Sequence, residues 1–314
     1  MSSPVPLIIL SLNVSKRKGT PKTPVARIRV DPKGVRGDAH YNQGFREVSI
    51  LGGDSLRKFT RKTGHTVKPG DFAENITVSG LEVSRLRLGD RLVCGRVILE
   101  VNQIGKACHG NDCAIFQRTG TCAMPREGLF CRPLRGGVLS RGDSLTHEPR
   151  RVKACVVTLS DRASRGVYSD RSGPVVEAAL KNYFQGKAWE LSVERELIPD
   201  APARLRRLLG RLYRSQFDLV VLTGGTGIGP RDTTPDIVSA FCERLIPGVM
   251  DEIRLRSARS NPHALLSRSV CGVKGRMMLY SLPGSVRAAE EYMRGISRTM
   301  EHALLMVRGL DAHG

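Results

Sequence analysis

The sequence predicts two domains: a β-rich, barrel-like domain over residues 1–148, then a three-layer α/β domain with a mostly parallel sheet over residues 149–314. Three observations carry this prediction. At 314 residues the chain exceeds the commonest single-domain size and can bury two cores. A polar, proline-containing stretch, His147-Glu148-Pro149-Arg150-Arg151, interrupts it near the middle. Across that stretch the pattern changes from short runs with closely spaced turns to alternating strand and helix signals.

In the first half, the opening apolar run is only about eight residues long, with no basic flank before it and no small-residue cleavage pattern after it, so it reads as a first strand rather than an export signal. Short β-like runs follow at 48–51, 75–78, 91–93 and 97–101. Leu88-Gly89-Asp90-Arg91-Leu92 and Cys94-Gly95-Arg96-Val97 place turns at the close spacing that successive antiparallel strands need. One helix is expected near 53–62. In the second half, residues 152–159 read as a strand and a helix opens at Pro174, with Val175, Val176, Ala179, Leu180 and Tyr183 approximating one face. A strand at 191–197 leads into a helix that buries Leu205, Leu208, Leu209 and Leu212. A continuous apolar strand at 217–223 then ends in glycines, before a helix at 235–243.

Net charge is +20, with 25 Lys/Arg against 13 Asp/Glu in residues 1–150 and 25 against 17 in residues 151–314. Such a surface attracts anions, including phosphorylated small molecules. The basic residues are scattered or lie on helix faces, as in Arg204, Arg206, Arg207, Arg211 and Arg214, without a long basic block or interleaved aromatics. That argues against a specific nucleic-acid partner. No run approaches the ~20 apolar residues that span a bilayer, so no membrane partner is expected and the expected compartment is the cytoplasm. The eight cysteines are then expected as reduced thiols.

The segment with most chemistry in it is T-G-G-T-G-I-G-P-R-D-T-T-P-D, residues 223–236, directly after a buried-type strand. In open α/β sheets ligands bind at that carboxyl edge. Gly224, Gly225 and Gly227 allow backbone N–H groups to approach an oxyanion, and Thr223, Thr226 and Thr233 offer hydroxyls. A glycine-rich turn alone is equally compatible with an ordinary strand-to-helix connection. The added Arg231-Asp232 pair tips the balance, because nucleotidyl transfer needs a cation for phosphate oxygens and a carboxylate for Mg²⁺. Asp200 follows the strand at 191–197 and is a second candidate, with capping of the next helix as its bland role. The first strand ends in Ser160-Asp161-Arg162, bringing a third polar strand end toward the same crevice.

These segments, S-D-R-A-S-R-G-V-Y-S-D at 160–170, L-I-P-D at 197–200 and the glycine segment, together with I-P-G at 246–248, L-S-R at 266–268 and L-P-G at 282–284, resemble the molybdopterin adenylyltransferase (MogA-type) family, which includes the N-terminal domain of gephyrin. The resemblance runs in order from 152 to about 305. It implies the molybdopterin-binding fold, transfer of AMP from ATP to the terminal phosphate of molybdopterin with Mg²⁺, and a homotrimer. By the same resemblance Asp232 and Asp200 stand at the acidic catalytic and metal positions, and Ser160, Asp161, Arg162, the glycine segment, Pro283 and Gly284 form the binding set. A catalytically weaker branch, the MoaB type, often lacks the Arg-Asp step that is present here.

In the first half, Gly37-Asp38-Ala39-His40, Gly70-Asp71-Phe72-Ala73-Glu74-Asn75-Ile76-Thr77 and Gly89-Asp90-Arg91-Leu92 resemble the MOSC domain. That pattern implies a reactive cysteine after a strand, which is Cys108 here, although Gly-Lys-Ala-Cys replaces the usual Arg-x-Pro-Cys. Lys106 and His109 favour a thiolate electrostatically. The MOSC resemblance implies sulfur carriage or molybdenum at Cys108, a bound molybdenum cofactor and pyridoxal phosphate binding. Cys113, Cys122 and Cys131 follow at equal steps as further metal-ligand candidates, without the Cys-x-x-Cys spacing of structural zinc. His40, Arg46 and Asn75 are pocket candidates. Expected partners are molybdopterin, ATP and either a molybdenum-insertion protein or molybdoenzymes. The competing expectation is a non-catalytic cofactor carrier or scaffold.

Overall fold

The computed structural model describes residues 6–44, 46–107, 110, 114–187 and 189–310. The described chain divides into two compact units, one running through Arg150 and joined by Leu310, the other covering residues 151–309.

The first unit contains strands β1 (Leu7–Val14), β2 (Thr23–Val25), β3 (Arg27–Asp31), β4 (Gly34–Val35) and β5 (Val48–Gly52), helix α1 (Gly53–Thr63), and strands β6 (Ile76–Val78), β7 (Arg91–Cys94) and β8 (Val97–Ile104). Helices α2 (Ala114–Thr119) and α3 (Met124–Glu127) precede β9 (Leu129–Arg135), β10 (Gly137–Ser140) and β11 (Ser144–Glu148). Strand order β11-β7-β8-β9-β5-β6-β1 closes on itself through the β1–β11 pairing, giving a seven-stranded barrel, with β2 added beside β1. Closure removes the exposed edges that an open sheet would present. Of its pairs only β5 and β6 run parallel, which requires a crossover, and α1 supplies it. The barrel is filled by apolar side chains including Leu12, Ile50, Ile76, Leu92, Leu99 and Val101. Leu56 and Phe59 of α1 pack in a separate cluster with Leu51, Phe72, Met124 and Phe130, where Phe59 meets Phe72 edge-on at 4.8 Å. The two-residue turn expected at Gly95-Arg96 joins β7 to β8, with Cys94 opposite Val97.

The second unit contains β12 (Arg151–Leu159), α4 (Asp161–Ser164), α5 (Ser172–Phe184), β13 (Glu190–Ile198), α6 (Pro202–Arg214), β14 (Leu219–Thr223) and α7 (Thr234–Phe241). It continues with β15 (Arg244–Leu245), α8 (Pro247–Ala258), β16 (Cys271–Lys274), β17 (Met277–Leu282), α9 (Val286–Ile296) and α10 (Met300–Met306). The sheet order is β13-β12-β14-β17-β16-β15. The first four strands are mutually parallel, β16 runs antiparallel to β17, and β15 pairs antiparallel with β16. The chain leaves β12 toward β13 and then returns across it to β14, so the strand order reverses at β12. That reversal opens a crevice outside the carboxyl ends.

Alternate residues of the central strands face opposite layers, as a pleated strand requires. Cys155, Val157, Val220, Leu222 and Leu279 pack with Leu205, Leu208, Leu209 and Leu212 of α6 and with Ile237 and Val238 of α7. The four leucines of α6 recur at helical spacing, and burying each contributes roughly 2 kcal/mol. Helices α5 and α9 pack together on the sheet, burying Val176, Leu180 and Phe184 with Ala289, Tyr292, Met293 and Ile296. Among the described residues no helix is long and apolar enough to cross a membrane.

Candidate active site

The register of the parallel strands brings their carboxyl ends to one level. Leu159 of β12 pairs with Ile198 of β13, Thr158 with Thr223 of β14, and Thr223 with Leu282 of β17. The residues that follow, Ser160, Asp200, Gly224 and Gly284, therefore emerge along one edge. They line a cleft of about 640 Å³ together with Asp161, Arg162, Gly225, Arg231 and Asp232.

Close approach of three loops explains the glycines. Gly224 sits at φ 110° and donates its N–H to Leu282 O at 3.0 Å. A Cβ there would stand 2.3 Å from Leu159 O, and a Cβ on Gly284 would meet Gly224 Cα at 3.2 Å. The expected hydroxyl donors are placed differently. Thr223 is buried and donates its hydroxyl to Pro283 O at 3.0 Å, Thr226 is buried, and neither they nor Gly227, Thr233 and Pro283 line the cleft. The backbone is better placed for an anion, since among the described residues the Gly225 N–H makes no hydrogen bond.

Asp232 closes a tight turn on its own loop. One carboxylate oxygen accepts the Gly229 N–H at 2.9 Å, while the Asp232 N–H donates to Gly229 O at 3.0 Å. Asp200 does not cap α6, whose N-cap is Ala201 without a side-chain bond. It is cross-braced to Asp161 instead. The Asp161 N–H donates to Asp200 Oδ2 at 3.0 Å, and the Asp200 N–H donates to Asp161 Oδ1 at 3.1 Å. Arg231, whose side chain is 86% exposed, reaches Asp161 Oδ2 at 3.7 Å and links the glycine segment to the β12 end.

Asp232 and Asp200 both line the cleft, and among the described residues the Oδ1 of each accepts no hydrogen bond. Among the described residues no group of three or more His, Cys, Asp or Glu side chains assembles a metal cage. Carboxylate oxygens of this kind are a donor type that fits Mg²⁺.

In the first unit the three Gly-Asp motifs are turn closures. Asp38 accepts the N–H groups of Ser15 and His40, Asp71 that of Lys68, and Asp90 those of Arg87 and Arg150. Asn75 is buried and spends its amide on Ser49 and Asn13 O. His40 lies beside Asp38, its Nδ1 3.3 Å from Oδ1. Arg46 adopts φ 62°, bonds Gln103 at 2.5 Å and lies over the Phe130 ring, which Lys106 also approaches. Cys108, His109 and Cys113 lie outside the described residues. Cys131 is fully buried in the barrel, where burial pushes its thiol well above the ordinary value, and Cys122 packs beside the Phe72–Phe130 cluster.

The probable molybdopterin binding domain family matches residues 155–302, and the MOSC domain family matches residues 36–146. Molybdopterin adenylyltransferase from Helicobacter pylori strain J99 is 31% identical over 155 residues, 49% of this chain and 86% of that protein. The chain belongs to the molybdopterin adenylyltransferase family. The Haemophilus influenzae molybdopterin adenylyltransferase is 36% identical over 146 residues, 46% of this chain and 73% of that protein. Gephyrin from Dictyostelium discoideum is 31% identical over 157 residues, 48% of this chain, but the chain spans only 22% of gephyrin's length. A MOSC domain precedes the family's domain in this chain.

Within this molybdopterin adenylyltransferase-family unit, several cleft residues were not singled out as site residues, although Tyr168 and Asp170 stand in the 160–170 segment. Tyr168 shares a hydrogen bond with Ser160 Oγ at 2.8 Å. Asp170 accepts from Thr158 Oγ1 at 2.9 Å and from the Gly173 N–H at 3.0 Å, fixing the start of α5. Arg171 and Ser285 complete the lining, Ser285 as the N-cap of α9. The signal was the Asp-x-x-Gly and Ser-x-x-Ala spacing at those helix starts, which marks capping. Arg268 was visible only as the last residue of the L-S-R match.

Proposed function

We propose that the protein acts in molybdenum cofactor biosynthesis and that its second unit adenylylates molybdopterin with Mg-ATP. The observation carrying this reading is the meeting of Asp232, Asp200, Arg231 and the glycine segment in one cleft at the carboxyl ends of four parallel strands. Both substrates are polyanionic phosphates. Arg162, Arg171 and Arg231 offer cations, and residues at the starts of α5 and α9, Ser172 and Val286, line the same space, where the positive ends of the helix dipoles favour an anion. The terminal phosphate oxygen of molybdopterin attacks the α-phosphorus of ATP, the bond to pyrophosphate breaks, and AMP is joined to the pterin phosphate. Mg²⁺ held by Asp232 and Asp200 would supply charge neutralisation of the phosphates. The protein's own contribution is orientation and electrostatics: the Gly225 N–H and the arginines hold phosphate oxygens in line, without a nucleophilic side chain.

The first unit, in this reading, binds the cofactor or carries sulfur through Cys108, and the product passes to a molybdenum-insertion protein. The family resemblance supports a cytoplasmic homotrimer. Incubation with molybdopterin and Mg-ATP should release pyrophosphate in step with pterin consumption. Pterin binding without pyrophosphate from folded protein would establish a carrier instead. For the first unit, a persulfide formed with a sulfane-sulfur donor is expected on Cys108 and lost in Cys108→Ser. An adduct mapped by mass spectrometry only to Cys113, Cys122 or Cys131 would refute that assignment.

A further inference from the structure

Arg268 follows α8 and does not line the cleft, yet it grips the glycine segment at both ends. Its backbone N–H donates to Thr226 O at 2.8 Å, and its Nε to Gly227 O at 2.9 Å. One terminal nitrogen donates to Asp232 O. The same guanidinium closes on the Asp236 carboxylate with two bonds of 2.8 and 3.1 Å. The segment between these grips contains Gly229, Pro230, Arg231 and Asp232, which form one wall of the cleft.

An exposed Arg–Asp pair alone is worth little to stability, and here the Asp236 side chain is 62% exposed. The distinctive feature is that one rigid plane holds two backbone carbonyls and a carboxylate at fixed mutual distances. A lysine ammonium, a point charge on a flexible stem, cannot reproduce that fork. The carbonyl at Asp232 belongs to a residue that lines the cleft, so the grip fixes the backbone from which its carboxylate is carried.

We propose that Arg268 is a positioning residue: it templates the glycine segment and Asp232 for the triphosphate of Mg-ATP, without touching substrate. This rests on the cleft being a nucleotide site. The turn between Asp232 and Gly229 survives loss of Arg268, but the wall it belongs to is no longer anchored to the 266–268 segment.

The test uses the full chain as wild type, Arg268→Lys and Arg268→Ala, with direct Mg-ATP binding by calorimetry beside pyrophosphate-release kinetics. Both variants are expected to weaken Mg-ATP binding and raise its KM by about tenfold. Molybdopterin binding without nucleotide should stay within about twofold of wild type, the expectation for a group outside the uniform binding of that ligand. Added guanidinium should restore part of the lost affinity of Arg268→Ala. Arg268→Lys with wild-type Mg-ATP binding overturns the inference, as does an equal loss of both ligands with no guanidinium rescue. Wild type that binds Mg-ATP but releases no pyrophosphate contradicts the adenylylation reading, while the binding isotherms still decide the role of Arg268.

Discussion

Asp232→Asn should lower pyrophosphate release by about 10²–10³-fold while leaving the fold intact, a loss of the size found when one preorganised charge-stabilising group is removed. Asparagine is the informative replacement. Its amide oxygen can still accept the Gly229 N–H, so the 2.9 Å bond that closes the turn is retained. What disappears is the negative charge, and with it the ability to compete with water for a divalent cation. Asp232→Ala removes both and should be at least as impaired. Steady-state kinetics with circular dichroism as the folding control distinguishes the roles. If Asp232→Asn turned over within threefold of wild type while Asp232→Ala failed, the residue would act through its turn alone.

The second large effect is expected in the first unit. Lys22 and Asp38 form an ion pair whose side chains are both 0% exposed, with Nζ 2.6 and 2.7 Å from the two carboxylate oxygens. Lys22→Met should destabilise the protein by about 3–5 kcal/mol, because it strands a buried carboxylate without its cation. At roughly 3 °C per kcal/mol for a domain of this size, calorimetry should see a fall of about 10 °C or more. Burial works against the Asp38 charge, but contacts with His40 and Lys22 outweigh it and hold the carboxyl below its ordinary 3.8. A depressed folded-state value means stability that is present above pH 3.8 and lost as pH falls through the lower value. The Lys22→Met protein should therefore show a shallower loss of stability below pH 3.8 than wild type. A midpoint shift under about 2 °C would mean that the neighbouring N–H groups stabilise the carboxylate unaided.

Much of the second unit was legible because its signals are local. Strand β14 is a continuous apolar run with glycines at its end, and the four leucines of α6 mark a buried stripe. The observed elements lie within a few residues of the expected ones, and Pro174 is the third residue of α5, within its first turn, rather than its opening residue. The barrel was legible as a class but not as a topology. Its closing pair, Leu7 with Leu145, joins residues that no local pattern connects. Strand β3 alternates Arg-Ile-Arg-Val with burial to match, a pattern short enough to pass as a charged loop.

The site divides in the same way. The glycine segment and its Asp232 are contiguous, so the sequence carried them. The Asp161–Asp200 brace joins two strand ends 39 residues apart, and it depends on the parallel β12–β13 register. The bland role for Asp200 was capping of the next helix, and the bond from the Asp161 N–H takes its carboxylate elsewhere. The hydroxyls of the glycine segment read as phosphate donors because composition cannot tell which way a side chain faces. Thr223 ends a strand buried on both faces and turns its hydroxyl to Pro283 O.

Label transfer decides whether the second unit adenylylates molybdopterin. With molybdopterin, Mg²⁺ and ATP labelled separately at the α- and γ-phosphorus, α-label is expected to move onto the pterin while γ-label leaves in pyrophosphate. Label from the γ position on the pterin, or release of inorganic phosphate with the pterin unmodified, would contradict it.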